Sequence, residues 1–138
     1  MLTFRPLKES DITDDYVGWW RNKKFTKYLE TKTMTKEKAI EHIRECNRTG
    51  CFLCAVEIAG VHIGNVKVNP DGDLSIIIFP PYQGKGYATE AISMMAQFAG
   101  GRITAGVRGG NIGSLRAFEK AGFIETGRSQ EFIHLANK

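Results

Sequence analysis

The sequence predicts an α/β chain of mixed (α+β) character. The expected architecture is an open mixed sheet with an antiparallel N-terminal meander and a parallel β-α-β crossover, flanked by about four helices. Residues 51–58, 61–68 and 74–79 are rich in β-branched and aromatic side chains, and the short turns Ala59-Gly60 and Asn69-Pro70-Asp71-Gly72 join them as an antiparallel meander. Pro80-Pro81 ends the third of these runs, because proline cannot donate to a strand ladder. Beyond it Ala88, Ala91, Ile92, Met95, Phe98 and Ala99 recur at helical spacing before the β-rich run 103–107. About twenty residues lie between the two runs, enough for a helical crossover between parallel neighbours.

The remaining elements follow from the same signals. Residues 2–7 alternate and contain Pro6, which suits an edge strand. Ser10 is the expected N-cap of a short helix, with Ile12, Tyr16, Val17 and Trp20 at helical spacing through Asn22. Residues 22–34 read as a linker of irregular or broken helical structure. Thr35 then opens a helix whose apolar stripe, Ala39, Ile40, Ile43 and Cys46, stops near Gly50. The crossover helix stops at Gly100-Gly101. Asn111 caps a last helix with Leu115, Phe118 and Ala121 on its inner face, and Gly122 stands where a left-handed residue ends it. Residues 123–127 and 132–136 are expected as closing strands. No repeat or interdomain linker divides residues 1–138, so the expectation is a single domain that buries about two thirds of its unfolded surface.

Composition excludes several classes. Hydrophobic residues at 42% and charged residues at 25% rule against a disordered, collagen-like or coiled-coil chain. Met1 to Pro6 shows no basic segment leading into an apolar one, and no run approaches the about 18 apolar residues of a membrane span. A cytoplasmic protein with no membrane partner is expected. Nineteen Lys and Arg against fifteen Asp and Glu leave +4, which could serve nucleic acid, an acidic surface or a polyphosphate ligand. The basic residues form no run: Glu30 and Glu37, Phe25 and Tyr28 interrupt the densest stretch, so a small phosphate-bearing ligand suits the surplus better than a duplex. A basic nucleic-acid-binding protein, favoured by pI ≈ 9.0 and the aromatic-basic stretch 19–32, is the alternative from another class; it leaves the glycine motifs below unexplained, and no nucleic acid is expected. Cys46, Cys51 and Cys54 match the C-x4-C-x2-C spacing of a plant-type iron–sulfur loop, but that cluster needs a fourth cysteine. With Cys51 and Cys54 read as opposite faces of one strand, free thiols and no metal site are expected. His62 and His134 fall in strands and His42 on a helix beside Glu41, where packed or solvated roles are expected.

Tyr82-Gln83-Gly84-Lys85-Gly86-Tyr87-Ala88 lies between a strand end and a helix start, where backbone N–H groups are unpaired and the helix dipole is positive. Such a place attracts phosphate. Gly84 and Gly86 remove side chains that would hold an anion off the amides, Ala88 stays small, and Lys85 adds charge. A Walker A loop is excluded, because Gly86 follows Gly84-Lys85 and Phe79 holds the earlier glycine position. A dinucleotide fingerprint is excluded too, since it needs glycine at Thr89 and belongs after the first strand of a doubly wound sheet.

Gln83-x-x-Gly86-x-Ala88 resembles the [RQ]-x-x-G-x-[GA] signature of the GCN5-related N-acetyltransferases (GNAT). Asn111-x-x-Ser114-Leu115-x-x-Phe118-Glu119-Lys120-x-Gly122-Phe123 is similar to the motif that follows it in that family. The resemblance covers essentially the whole chain. The run 82–91 and Ser114 look most like the branch containing ribosomal-protein N-terminal and amino-sugar acetyltransferases. It implies a GNAT-like open sheet and acetyl transfer from acetyl-coenzyme A, without metal, to a primary amine of a small molecule such as an amino sugar, or of a protein N-terminus. Cofactor contacts are implied for the backbone of Ile77, Ile78 and Phe79, for Gln83, Gly84, Lys85, Gly86, Tyr87 and Ala88, and for Asn111 and Ser114. The family often carries a tyrosine seven residues after that asparagine to protonate the thiolate; this chain has Phe118 there, and Ser114, one turn earlier, is the implied substitute. Glu30, in the segment that the family uses to line its acceptor cleft, is the expected general base. Trp20, Arg21, Asn22 and Glu30 are the expected acceptor-site residues, although Trp20 also suits a core position. A coenzyme A-binding module without turnover is the rival that Phe118 raises. Monomer and homodimer both stay open.

Overall fold

Short turns and alternating apolar residues build the first sheet. The computed structural model describes residues 1–138. Strands β1 (Leu2–Pro6), β2 (Phe52–Ile58), β3 (Val61–Val68) and β4 (Leu74–Ile78) pair antiparallel in the order β1-β2-β3-β4. Strand β1 is an edge, as Pro6 requires. A second antiparallel sheet has the order β5-β7-β6, with β5 (Thr104–Arg108), β6 (Ile124–Arg128) and β7 (Phe132–Ala136). The expected mixed architecture is present: an antiparallel meander leads through a crossover helix into the second group of strands.

The two sheets touch at one place. Asp73 and Thr104 form a single parallel bridge, held by Thr104 N–H to Gly72 O at 3.0 Å and by the Thr104 hydroxyl donating to Asp73 Oδ1 at 3.1 Å. Parallel pairing along the whole of 74–79 and 103–107 is therefore corrected to a bridge at their base. Above it β4 follows β3 and β5 follows β7, and the twist of each sheet carries the two strands apart. The result is a split open toward the chain end of β4.

Helices cover both faces. Alternation puts Ala55 and Val56 of β2 on opposite faces, and each belongs to a different core. Val56, Ile63 and Val66 pack with Ala91, Ile92 and Met95 of α4 (Tyr87–Ala99) and with Phe118 of α5 (Ile112–Lys120). Ala55 and Phe79 pack with Tyr16 and Trp20 and with Ala39 and Ile43 of α3 (Lys36–Thr49). With α1 (Asp14–Gly18) and α2 (Lys23–Thr26) there are five helices, two of them only four or five residues long, against about four expected. None is long and apolar enough to cross a membrane.

The N-terminal cap differs from expectation. Thr13, not Ser10, caps α1, its Oγ1 accepting from Tyr16 N–H at 3.2 Å. Asp11 explains the shift: its carboxylate accepts from Lys8 N–H at 2.8 Å and folds residues 9–11 into a separate 3₁₀ turn. Asn22 caps α2 by accepting from Lys24 and Phe25 N–H, so the linker is the broken helix expected. Cys51 is corrected to a position just before β2, with Sγ 3.5 Å from Asn69 Oδ1. All three cysteines are free thiols, and burial pushes those of Cys46 and Cys54 up.

Two contacts fix β3. The β3–β4 ladder runs one pair past Gly64 and Ile78, with Phe79 N–H donating to Ile63 O at 2.8 Å. Gly64 is buried against β4, and a Cβ there would lie 2.2 Å from Ile77 O.

Arg5 locks the 3₁₀ turn to the sheet. Its guanidinium donates to both oxygens of Asp11 at 2.7 and 2.8 Å and to Glu57 at 2.9 Å. The bidentate bond from Arg5 holds the Asp11 carboxyl below the usual carboxylate range. A lowered folded pKa means that the contribution is complete above the unfolded value of about 3.9 and is lost as pH falls through the folded one. Asp11→Asn is expected to lower stability by about 1 kcal/mol at neutral pH, because the pair is half-exposed, and to flatten the acid limb of a urea-unfolding pH series. Parallel acid limbs for parent and variant would remove Asp11 from the account.

Candidate active site at the split between the sheets

The inner edge of β4 is unpaired where the sheets part. In an antiparallel ladder, alternate residues turn their main-chain groups to the same neighbour. Phe79 N–H goes to Ile63 in β3, so Ile77 and Ser75 face β3 too, while Ile76 and Ile78 face the split. Gln83 occupies part of that edge, its Nε2 donating to Ile78 O at 2.7 Å. Left free are the N–H and C=O of Ile76 and the N–H of Ile78. This corrects the expectation for Phe79, whose N–H and C=O are both used within the chain and whose ring is buried. Ile77 lines the clefts on both sides of the split while its main-chain groups face β3.

The 83–88 loop follows directly. Gly84 and Gly86 have φ of 76° and 85°, a region that side chains disfavour. Gly86 is the N-cap of α4 and supplies no side-chain acceptor. The N–H groups of Tyr87, Ala88 and Thr89 thus begin a helix without partners, at its positive end. A cleft of about 550 Å³ opens above them, lined by Ile76–Ile78, Gln83, Gly84, Gly86, Tyr87, Ala88, Asn111 and Ser114. Lys85 is exposed and does not line it.

Sequence reading missed the cations of this cleft, Lys24, Arg116 and Lys120. A signal existed. Gly113, Arg116, Ala117 and Lys120 fall at i, i+3, i+4 and i+7, so one face of α5 is aimed at the cleft. Asn111 caps that helix, accepting from Ser114 N–H at 3.3 Å.

A second cleft of about 730 Å³ lies on the other side of the split. Tyr28, Leu29, Ile76, Ile77, Asn111 and Ser114 line both, so the two clefts meet at the free edge of β4. Tyr28 closes over the junction, its hydroxyl donating to Gly110 O at 3.0 Å. Glu30 and Trp20 line the second cleft. Trp20 is mainly core, packed against Tyr16 and Phe25, and its buried Nε1 has no partner. Arg21 and Asn22 line neither of these two clefts: the Asn22 side-chain oxygen is spent on α2 and Arg21 is exposed. Phe118 is buried against Phe123.

Polar groups tie the floor of the second cleft to α1. Asn65 donates to the Tyr16 hydroxyl at 2.9 Å and meets His62 Nε2 at 2.8 Å. Burial pushes the Tyr16 hydroxyl up to about 12, which keeps it neutral. Burial also pushes the Asp73 carboxyl up, against the hydroxyl of Thr104.

This arrangement offers donors for phosphates beside an edge that an extended, amide-bearing arm can extend as a strand. Where the clefts meet, an electrophile on that arm would face a group held in the second cleft.

The sequence matches the family model of an acetyltransferase (GNAT) domain over residues 1–124. No curated protein matches it. Among solved structures, the aminoglycoside acetyltransferase AAC(6')-Ib in complex with coenzyme A superimposes with a TM-score of 0.86 at 15% identity, covering 100% of this chain and 95% of that one. Spermidine N-acetyltransferase from Vibrio cholerae, in complex with coenzyme A and spermine, gives 0.83 at 22% identity over 98% and 94%. The microcin C7 self-immunity acetyltransferase MccE, in complex with acetyl-coenzyme A and AMP, gives 0.83 at 15% over 99% and 91%. At these identities the superpositions establish the fold.

Proposed function

Because this chain belongs to the GNAT acetyltransferase family, we propose that it transfers an acetyl group from acetyl-coenzyme A to a primary amine of a small molecule or a protein N-terminus, the donor lying in the first cleft and the acceptor in the second. The observation that carries the reading is the meeting of the two clefts at the free edge of β4 beside Ser114. The similar structures hold coenzyme A or acetyl-coenzyme A, and two of those enzymes are named for amine acceptors.

The unpaired amides of Tyr87, Ala88 and Thr89 would take the pyrophosphate, with Arg116, Lys120 and Lys24 supplying charge. Ile76 and Ile78 would pair with the pantetheine arm, and a free N–H on this edge would polarise the thioester carbonyl. The amine nitrogen attacks that carbon, the C–N bond forms and the C–S bond breaks. One proton leaves nitrogen and one reaches the departing thiolate. Glu30, on the wall of the acceptor cleft, would accept the first, directly or through water, and Ser114 at the junction would donate a hydrogen bond to the sulfur.

Coenzyme A titrated calorimetrically should bind, and acetyl-coenzyme A with an accepted amine should release thiol. Binding without thiol release across a broad amine panel would make the chain a coenzyme A-binding module, and binding of a random oligonucleotide in place of coenzyme A would overturn both readings. Ser114→Ala is expected to lower kcat about ten- to a hundredfold, roughly 1.4 to 2.8 kcal/mol, with coenzyme A affinity nearly kept, since the contact strengthens only as thiolate charge develops. Parent-like kcat in that variant would assign thiolate protonation to water or substrate.

A further inference from the structure

The floor of the second cleft is unusually polar for a strand surface under a helix. Asn65 and Lys67 alternate along β3, with Asn69 just past its end, and so share one face; Asp73, just before β4, and Ser75 within it continue that face, and all five line the cleft. Asn65 is already bonded to Tyr16 and His62. Lys67 is not engaged: none of the chain's carboxylates lies within ion-pair distance of its ammonium, and its side chain is partly buried. With no carboxylate bonded to it, its ammonium can make a charge-assisted hydrogen bond to an anionic group held in the cleft.

The rest of the wall does not reverse this. Lys38 and Arg108 stand with Lys67 against Glu30, Glu41 and Asp73. Arg108 spreads over the Phe132 ring at 4.8 Å and reaches exposed Glu131 only at 3.6 Å. A cleft for a polycation needs an excess of carboxylates, and this one has none.

We propose that the acceptor is amphoteric, carrying beside its amine an anionic group, a carboxylate or a phosphate, that docks on Lys67. The proposal rests on the reading of the second cleft as the acceptor site. It makes Lys67 a specificity-determining residue and sets this chain apart from enzymes whose acceptors are polyamines.

Matched acceptors test it in the intact protein with acetyl-coenzyme A and a thiol-release readout. One pair is a dipeptide and its C-terminal carboxamide; the other is a hexosamine phosphate and the unphosphorylated hexosamine. Spermine and kanamycin serve as the polycationic arm. In at least one pair the anionic member is expected to show a kcat/KM about tenfold or more above its neutral partner, and the pair that responds tells carboxylate from phosphate. Lys67→Met should bring that ratio to about one, and Lys67→Arg should keep it, which separates charge from folding. Equal rates within both pairs, preference for the polycations, or a ratio indifferent to Lys67→Met would each overturn the proposal. The same pairs titrated into protein saturated with coenzyme A read the preference without turnover. A chain that binds coenzyme A but releases no thiol thus fails the transferase reading, while the calorimetric preference still decides the role of Lys67.

Discussion

Gly64→Ala is expected to destabilise the protein by about 2 kcal/mol or more, at the upper end of ordinary overpacking costs. The added Cβ would lie 2.2 Å from Ile77 O and 3.0 Å from Ile78 Cα. Those atoms are backbone, so no side-chain rotation relieves the contact, and β3 or β4 must move. Since β4 carries the free edge, coenzyme A affinity should fall as well. Urea unfolding checks the first part. A loss under about 1 kcal/mol would mean that the strands separate more cheaply than close packing allows.

Gly86→Val should show the opposite division between stability and binding. A Cβ at Gly86 meets nothing within 4 Å, yet φ is 85°, and a β-branched residue resists that conformation at a cost of about 1–2 kcal/mol. The isopropyl group would also stand where the loop amides face an anion. Coenzyme A binding is expected to weaken tenfold or more, about 1.4 kcal/mol or above, in a protein that still folds. Unchanged calorimetric affinity in folded Gly86→Val would defeat the assignment of this loop to the pyrophosphate.

The contrast between these glycines shows what was legible in the sequence. Gly86 sits in a local pattern, a proline stop, a glycine pair and a helix start, and short-range rules read it together with the Asn111 cap and the meander turns. The need for glycine at position 64 depends on how closely the neighbouring strand β4 approaches it, a contact between strands without local signature. The same reason hid the separation of the sheets. Spacing between 74–79 and 103–107 permits parallel neighbours, but how many residues pair is decided by the twist that β3 and β7 impose. Lys67 was invisible as a site residue because its lack of an ion-pair partner is a fact about the placement of every carboxylate in the fold. Thr13 displaced Ser10 because Asp11 had a partner 6 residues back, at Arg5, and cap propensity alone cannot see that partner. Arg116 and Lys120, by contrast, stood on a readable helical face with Gly113.

The single bridge between Asp73 and Thr104 has a consequence for solubility. By letting the sheets part, it leaves a strand edge with unsatisfied main-chain groups, the kind of surface that templates pairing with another chain and seeds aggregation. Three features blunt it here. The edge belongs to a strand of only five residues, Gln83 already occupies the carbonyl of Ile78, and Tyr28 bonded to Gly110 lies across the opening. What remains accepts a narrow extended ligand and excludes a broad one, so the gap that admits a partner for β4 also keeps a second protein molecule from supplying it.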